Sequence, residues 1–572
     1  MYIRQLRIER FRGISSLKWT PNKGVNCLIG AGDSGKTTIL DAIDLVFAER
    51  HVATFDDLDF YKGLSKKGLR IIAVLSDLPR EFLSDDRYGL TLSGWHEKSG
   101  KWREEPNEAA GVIPVLTVAL EVDSTLEPNW HVLTCRDGVV DKSKRMPFED
   151  RKRLAPARLG VYADRHLSWG RGAALQRVGS HPEQLSATLN ELARKARQAF
   201  EQEGAKDFKE LIDTVGPEIA KLGVQFDVGP SANLDPSRIA MGAGGVALHD
   251  GDIPVRCMGT GSSRLAVAAL QSTDSAERMF FLVDELEYGL EPHRASLLIS
   301  HLRTKVKASG QVFLTTHSPL VLRELRFEEV SVCRRHRIDG ILEVLSCNGA
   351  TTAVKDARRF VRDRGEAFMA KTILVCEGQT EVGLLKGVSS TFPLDFQSLG
   401  VVFVDGGGDS TFEVAQYFAR LGYRTAVFTD SDKSPPPAVS DALGKHGVLH
   451  FEWGDGRCTE VELFGGLPQM QREELLRLVL SDAGYHTAAG LGQLASALKA
   501  SFADVDAVVP SLKDNELAKK IGLQANRHRW IKDHYDLCFL IGEEILPRAL
   551  ADGAGSCVAT LQSVMAWLSR NA

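Results

Sequence analysis

Short apolar runs alternate along this chain with stretches whose apolar positions recur every three or four residues. Ile3, Ile8 and Phe11 predict a first strand over residues 2–11, and "GVNCLIG" (24–30) reads as a short buried strand entering a glycine-rich loop. Residues 37–47 then space Ile39, Leu40, Ile43 and Leu45 to Phe47 as a helix does. "LRIIAVLSD", "IPVLTVALEV", "RMFFLVDE" and "GQVFLTTHS" predict further strands. Residues 183–215 differ. Leu185, Leu189, Leu192, Ala196 and Phe200, then Phe208, Leu211, Ile212 and Val215, mark a helical insert, either a dimer contact or an arm packed on its own domain. "AVKDARRFVRDRG" (353–365) reads as a basic connecting helix. From "KTILVCEG" (371–378) to "HFEW" strands and helices alternate again, which predicts a parallel sheet with crossover helices. The expected fold class is α/β. Its segments are an N-terminal lobe (1–180), the helical insert (181–235), a second lobe (236–350), the linker helix (351–370), a parallel-sheet core (371–466) and a helical C-terminal region (467–572) completing that last domain.

Composition changes this picture little. At roughly 150 residues per domain, 572 residues suggest three or four domains. A net charge of −5 permits nucleic-acid binding only through local basic surface. The nine scattered cysteines form no CxxC pair, which argues for a reducing compartment. The charged start "MYIRQLRIERFRG" is unlike a signal peptide, and no apolar run approaches the roughly 18 residues of a membrane span. The expectation is a cytoplasmic protein with no membrane partner.

Two groups of residues carry chemistry. The first is Gly30-Ala-Gly32-Asp33-Ser34-Gly35-Lys36-Thr37-Thr38, a complete GxxxxGK[ST] between a strand and a helix. Its backbone N–H groups would cradle phosphates, Lys36 would reach the β/γ-phosphates of ATP, and Thr37 would ligate Mg²⁺. "MFFLVDELEYGLEP" ends a strand in Asp284-Glu285, where one carboxylate can hold the Mg²⁺ shell and the next activate water. Gly261, Ser262 and Ser263 open a helix about 22 residues earlier and form either a second anion cradle or a plain helix cap. His317 ends the strand of "FLTTHSP".

The second group is acidic. "ILVCEGQTE" ends an apolar strand in Glu377-Gly378, with Glu381 on the first helical turn, and "VFTDSDK" ends another with Asp430 and Asp432. Acids ending strands of one parallel sheet converge at its carboxyl edge and repel one another unless a hard divalent cation lies between them. Glu460 or Glu462 of "GRCTEVELF" completes a second ion's shell, Glu460 being favoured with Thr459 nearby; otherwise they are acids at a helix start. Two Mg²⁺ or Mn²⁺ ions suit phosphodiester hydrolysis. Lys532 in "NRHRWIKDHYD" either stabilises the developing charge or belongs to a basic surface helix. Lys519, Lys520, Arg527, Arg529, Arg358, Arg359 and Arg362 are candidate phosphate contacts.

The phosphate loop, signature turn, acidic strand end and histidine together resemble an ABC-type ATPase head of the SMC and RecF kind. That resemblance implies a signature motif at Gly261–Ser263, a Walker B pair at Asp284-Glu285, a D-loop at Gly289–Pro292, a switch role for His317, and a homodimer with ATP between subunits. No glutamine occurs between Gln5 and Gln176, so the Q-loop residue is missing and Asp56, Asp57 or Asp59 is the candidate substitute. The E…DxD set resembles a Toprim domain. The two in one chain resemble the overcoming-lysogenisation-defect (OLD) family, which includes the nuclease subunit of the Gabija anti-phage system. The family implies a nucleotide-regulated, metal-dependent DNA endonuclease or nickase in phage defence, a dimer or higher assembly through the ATPase part, and in some members a helicase partner. The alternative expectation is a RecF-like DNA-binding ATPase for repair with a non-catalytic Toprim domain.

Overall fold

The structure is a computed structural model. The described residues are all of 1–572 except 49–54, 108–109, 137–138, 161–165, 169–172, 176–181, 222–227, 233–245, 274–278, 308, 349–356, 392–395, 432–434, 436, 455, 482–483 and 571–572. They divide into two compact units, one of Met1–Cys27 and Thr37–Thr316, the other of Leu28–Lys36 and His317–Ala572.

In the first unit β1 (Tyr2–Phe11) pairs antiparallel with β2 (Ile14–Trp19) and, after the strand β3 (Gly24–Ile29) and helix α1 (Lys36–Val46), with β4 (Leu69–Ser76). The ladder continues antiparallel through β5 (Val112–Val122), β6 (Pro128–Arg136) and β7 (Val139–Arg145). β8 (Ala157–Leu159), β9 (Phe280–Val283) and β10 (Gln311–Thr315) run parallel to one another. Short connections join β1 to β2 and β6 to β7 as antiparallel neighbours, whereas helix-containing segments separate the parallel strands. All four side chains of β9 are buried, as expected of a strand covered on both faces. The predicted insert is helical over α2 (Pro182–Gln202) and α3 (Lys209–Lys221); Leu192, Leu211 and Val215 on these helices and Phe208 in the turn between them are exposed.

The second unit holds the glycine-rich loop, an antiparallel hairpin of β11 (Val330–Arg335) and β12 (Ile341–Ser346), the basic helix α4 (Ala357–Arg364), and a four-stranded parallel sheet. That sheet is made of β13 (Thr372–Cys376), β14 (Val401–Asp405), β15 (Arg424–Thr429) and β16 (Leu449–Glu452), in the order β14-β13-β15-β16. The chain crosses to one side of β13 and then to the other, so a crevice opens at the carboxyl ends of β13 and β15, where such sheets bind ligands. The helical tail does not fold apart from this sheet. Leu374 and Phe428 of the strands share one core with Trp453, Leu463, Ile521, Trp530, Cys538 and Leu561.

Candidate functional site

The glycine-rich loop is shaped by backbone that other residues adopt poorly. Gly30 has φ +138°, and a Cβ there would lie 2.7 Å from the carbonyl oxygen of Cys333. Lys36 is buried and donates to the carbonyls of Gly30 (3.1 Å) and Ala31 (3.0 Å) and to Ser34 Oγ (3.3 Å). Gly32 and Asp33 are exposed, Gly35 has φ +92°, and Thr38 is half-buried on α1.

In the first unit the predicted acidic strand end meets α1. Thr37 Oγ1 donates to Asp284 Oδ1 at 3.2 Å, and Thr315 Oγ1 donates to the same oxygen at 2.7 Å. Glu285 has φ +47°, its N–H donates to Thr315 Oγ1 at 2.8 Å, and its carboxylate is exposed. The buried Arg264, on helix α5 (Thr260–Thr273), donates to the carbonyls of Asp284 (3.0 Å), Glu285 (3.1 Å) and Tyr288. The signature turn is thereby tied to the segment carrying both acids. Gly261 allows this approach, since a Cβ there would sit 2.2 Å from Gly289 O. Ser262 Oγ accepts from Arg294 at 3.2 Å, whereas Ser263 turns inward and donates to Val255 O at 2.9 Å. Of the three candidate substitutes for the Q-loop residue, Asp56 caps a short helical turn and Asp59 pairs with Arg12, while Asp57 is exposed. His317 is exposed and begins the long segment of the second unit.

The parallel sheet places its acids together at the crevice. Glu377 follows β13, its N–H donates to Phe428 O at 2.9 Å, and its Oε2 accepts from the N–H of Asp430 at 3.0 Å. Glu381 stands on the first turn of helix α6 (Gln379–Thr391) and is buried; its Oε2 accepts from Gly378 N–H at 2.9 Å. Thr459 begins helix α7 (Thr459–Gly466) and joins the two sides. Its hydroxyl lies 2.8 Å from Glu381 Oε1 and 2.9 Å from Asp430 Oδ1, and accepts from Trp453 Nε1 at 2.8 Å. One hydroxyl proton cannot serve two carboxylates, so a second proton or a cation belongs between them. Burial and the neighbouring Asp430 push the Glu381 carboxyl up to about 8, and burial with Glu377 pushes Asp430 up to about 7. Burial also raises Glu460, against which the positive charge of Lys532 acts.

Lys532 is exposed but its loop is anchored. Trp530 and Ile531 are buried, Trp530 Nε1 donates to Gln493 at 2.8 Å, and the N–H of Asp533 donates to Thr380 Oγ1 at 3.3 Å. Glu462, the other candidate on α7, is buried in an ion pair with Arg457 at 2.9 Å and accepts from Ser556. It is thus neutralised within the protein, and Glu460 is the α7 acid that meets Glu377 and Asp430. Asp432 lies outside the described residues. Among the described residues no three His, Cys, Asp or Glu groups already enclose a common point; N–H and O–H donors hold these oxygens instead. The donor set fits a hard cation on chemical grounds: oxygen atoms alone, of one charge, two of them raised by burial and mutual repulsion.

Sequence reading missed Asp405 and Gln379. Asp405 ends β14 and accepts from Gln379 Nε2 and Gly407 N–H, both at 2.8 Å. "VVFVDGGGD" carries the same signal as "ILVCEG", an apolar run ending in an acid and then glycine.

Three family models match this chain. Residues 1–89 match an AAA ATPase domain, residues 153–323 an AAA domain family whose description names the AbiEii toxin and Type IV TA system, and residues 368–432 the overcoming lysogenization defect protein-like TOPRIM domain. The domain order matches an OLD-family ATPase–Toprim nuclease. The OLD-like Toprim match takes in Glu377, Glu381 and Asp430, and the AAA matches take in the phosphate loop and Asp284. The DNA replication and repair protein RecF of Nitrosococcus oceani is 37% identical over 73 residues, 13% of this OLD-like chain and 20% of RecF. The chain thus spans about a fifth of that relative's length. Structural likenesses include an SMC head bound to the C-winged helix domain of ScpA (15% identity, 61% of this chain and 100% of that one, TM-score 0.33). Another is the SMC head from Thermotoga maritima (14% identity, 60% and 99%, TM-score 0.28). Among the described residues no helix is long and apolar enough to cross a membrane.

Proposed function

We propose that this chain is a nucleotide-regulated, divalent-metal-dependent DNA endonuclease or nickase that cuts at the Toprim crevice. The observation that carries the reading is the juxtaposition of Glu377, Glu381, Asp430 and Glu460, where burial and repulsion push Glu381, Asp430 and Glu460 toward the neutral form. These four would hold Mg²⁺ or Mn²⁺, two ions in the fullest form of the proposal, with Asp432 as a further ligand. When bound, the ions would polarise a phosphodiester and make water nucleophilic at neutral pH. Thr459 keeps Glu381 and Asp430 in register, and Lys532 places positive charge beside Glu460, where a phosphodiester gathering negative charge would be stabilised.

ATP with Mg²⁺ would bind at Lys36, Thr37 and Asp284, and Gly261 and Ser262 would face a second copy's nucleotide in a homodimer. Nucleotide then governs cutting rather than fuelling it. A place in phage defence is the biological role the OLD-like Toprim domain suggests. The test is supercoiled plasmid incubated with Mg²⁺ or Mn²⁺, with and without nucleotide and with EDTA as control. Nicked or linear product that vanishes with EDTA and in the Glu377→Ala, Asp430→Ala double variant is the expected result; product that persists in that variant refutes the assignment. The match to RecF favours a second reading, a DNA-binding repair ATPase with a silent Toprim domain. It predicts DNA-stimulated ATP turnover and intact plasmid under every condition.

A further inference from the structure

The basic helix α4 ends in Arg364, a residue that none of the chemistry above uses. Its Nε donates to the carbonyl oxygen of Asp405 at 2.8 Å, and its guanidinium carbon lies 5.1 Å from the centroid of the Phe360 ring. One hydrogen bond and one aromatic face hold the head group in position. Its two terminal nitrogens donate to no acceptor among the described residues, and the side chain is only half-buried. The acids nearest to it are already engaged. Asp405 spends one oxygen on Gly407 N–H and the other on Gln379, and Asp363 pairs with Arg359 and Arg362. The bond at Nε goes to a carbonyl rather than a carboxylate; Asp405 and Asp363 attract this charge through space, but no carboxylate oxygen among the described residues occupies the terminal nitrogens.

The loop beside this guanidinium belongs to the Toprim crevice. Gly406 N–H donates to Cys376 O and Gly408 N–H to Glu377 O, both at 2.8 Å. A Cβ on Gly407 would stand 3.5 Å from Arg364 Nη2; glycine, at φ +76°, leaves that side of the fork open. A guanidinium held at Nε, set over a ring and bare along its outer edge matches two phosphate oxygens and cannot lose its charge. We propose that Arg364 is a positioning residue that anchors a backbone phosphate of the DNA strand presented to Glu377 and Asp430. The inference rests on reading the Toprim crevice as the DNA-cutting site. It adds a fixed anchor at the β14 side of the crevice, opposite in charge to the acids and indifferent to base sequence.

The test uses the full chain and a labelled DNA duplex. Affinity is measured over a range of salt in EDTA, and cleavage kinetics in Mg²⁺ or Mn²⁺, for wild type, Arg364→Ala, Arg364→Lys and Gly407→Asp. Losing one phosphate contact should flatten the slope of log affinity against log salt by about 0.9 and weaken binding about tenfold at low salt. In cleavage, Arg364→Ala should raise KM about tenfold and change kcat less than about threefold, since the acids are untouched. Arg364→Lys restores the salt slope but recovers KM only in part, because an ammonium lacks the fork. Gly407→Asp keeps the arginine and sets a carboxylate beside it, and aspartate tolerates the left-handed backbone better than most residues. It should reproduce the loss, and it decides the matter if Arg364→Ala fails to fold. An unchanged slope and KM in a folded Arg364→Ala, or in Gly407→Asp, overturns the anchor. If wild type binds DNA with a salt slope that Arg364→Ala flattens, yet never cuts, the nuclease reading fails and the anchor stands. Absence of DNA binding by wild type overturns both.

Discussion

Acids end parallel strands in two places in this molecule, and they are handled in opposite ways. At the end of β9, Asp284 is half-exposed and satisfied by the hydroxyls of Thr37 and Thr315, while Glu285 reaches solvent. At the ends of β13 and β15, Glu377 accepts from the N–H of Asp430 with Glu381 and Glu460 nearby, and burial and like charge raise the carboxyls of Glu381, Asp430 and Glu460. The first arrangement costs little without a ligand; a nucleotide would bring its own phosphates and metal to it. The second is strained by its own charge, so a cation gains more by binding there. Acids at a strand end therefore do not define one chemistry. What packs around them decides whether they complete a ligand's coordination or demand an ion themselves.

Breaking one side at a time sharpens that contrast. The largest effect is expected from Glu377→Ala with Asp430→Ala, which should lower plasmid cutting by at least about a thousandfold while leaving nucleotide affinity within about twofold, measured by gel and by calorimetry. Next is Lys36→Ala, which removes charged hydrogen bonds to phosphate and should weaken nucleotide binding about ten- to a hundredfold. It should leave divalent-ion binding at the Toprim acids unchanged by calorimetry in the absence of nucleotide. Thr459→Val leaves Trp453 Nε1 and both carboxylates without their shared hydroxyl and should destabilise the protein by about 1–3 kcal/mol in denaturant unfolding.

The subtlest test is pH. Glu381 holds its proton in the folded state up to about 8, whereas an unfolded glutamate releases it near 4.5. Between those values the folded chain binds more protons than the unfolded one, so this group's contribution to stability falls as pH rises from about 4.5 to about 8. Glu381→Gln cannot ionise. In EDTA its melting temperature should gain on wild type steadily across that window, by an amount worth on the order of a few kcal/mol at the top. Added Mg²⁺ should narrow the gap at high pH by stabilising wild type alone. A gap that stays level with pH would remove the charge-strain argument.

Much of this site was legible without coordinates. The phosphate loop is a contiguous run whose glycines and lysine serve one another, and Glu377, Glu381 and Asp430 each end or follow an apolar strand, so local pattern predicts both the elements and the acids. Glu460 and Glu462 could not be told apart in this way. Both sit on the first turn of α7, two residues apart, and only Arg457 and Ser556, the latter far along the chain, show that Glu462 is already neutralised. "VVFVDGGGD" carries the same local signal for Asp405, but its partner Gln379 starts helix α6, which follows a different strand, and only the fold joins the two. Arg364 looked like one more charge on a basic helix; its fixed head group depends on Phe360 and on the backbone of β14.

The sequence by itself determined the α/β elements, the nucleotide loop and the kind of chemistry the second sheet can support, because hydrophobic period, glycine placement and acid spacing are local properties. Tertiary structure alone decided which acids are buried, which are already paired, and that Thr459, Trp453 and Arg364 belong to the same edge. Burial and charge coupling depend on residues brought together from distant parts of the chain, and the order β14-β13-β15-β16 is what brings them there.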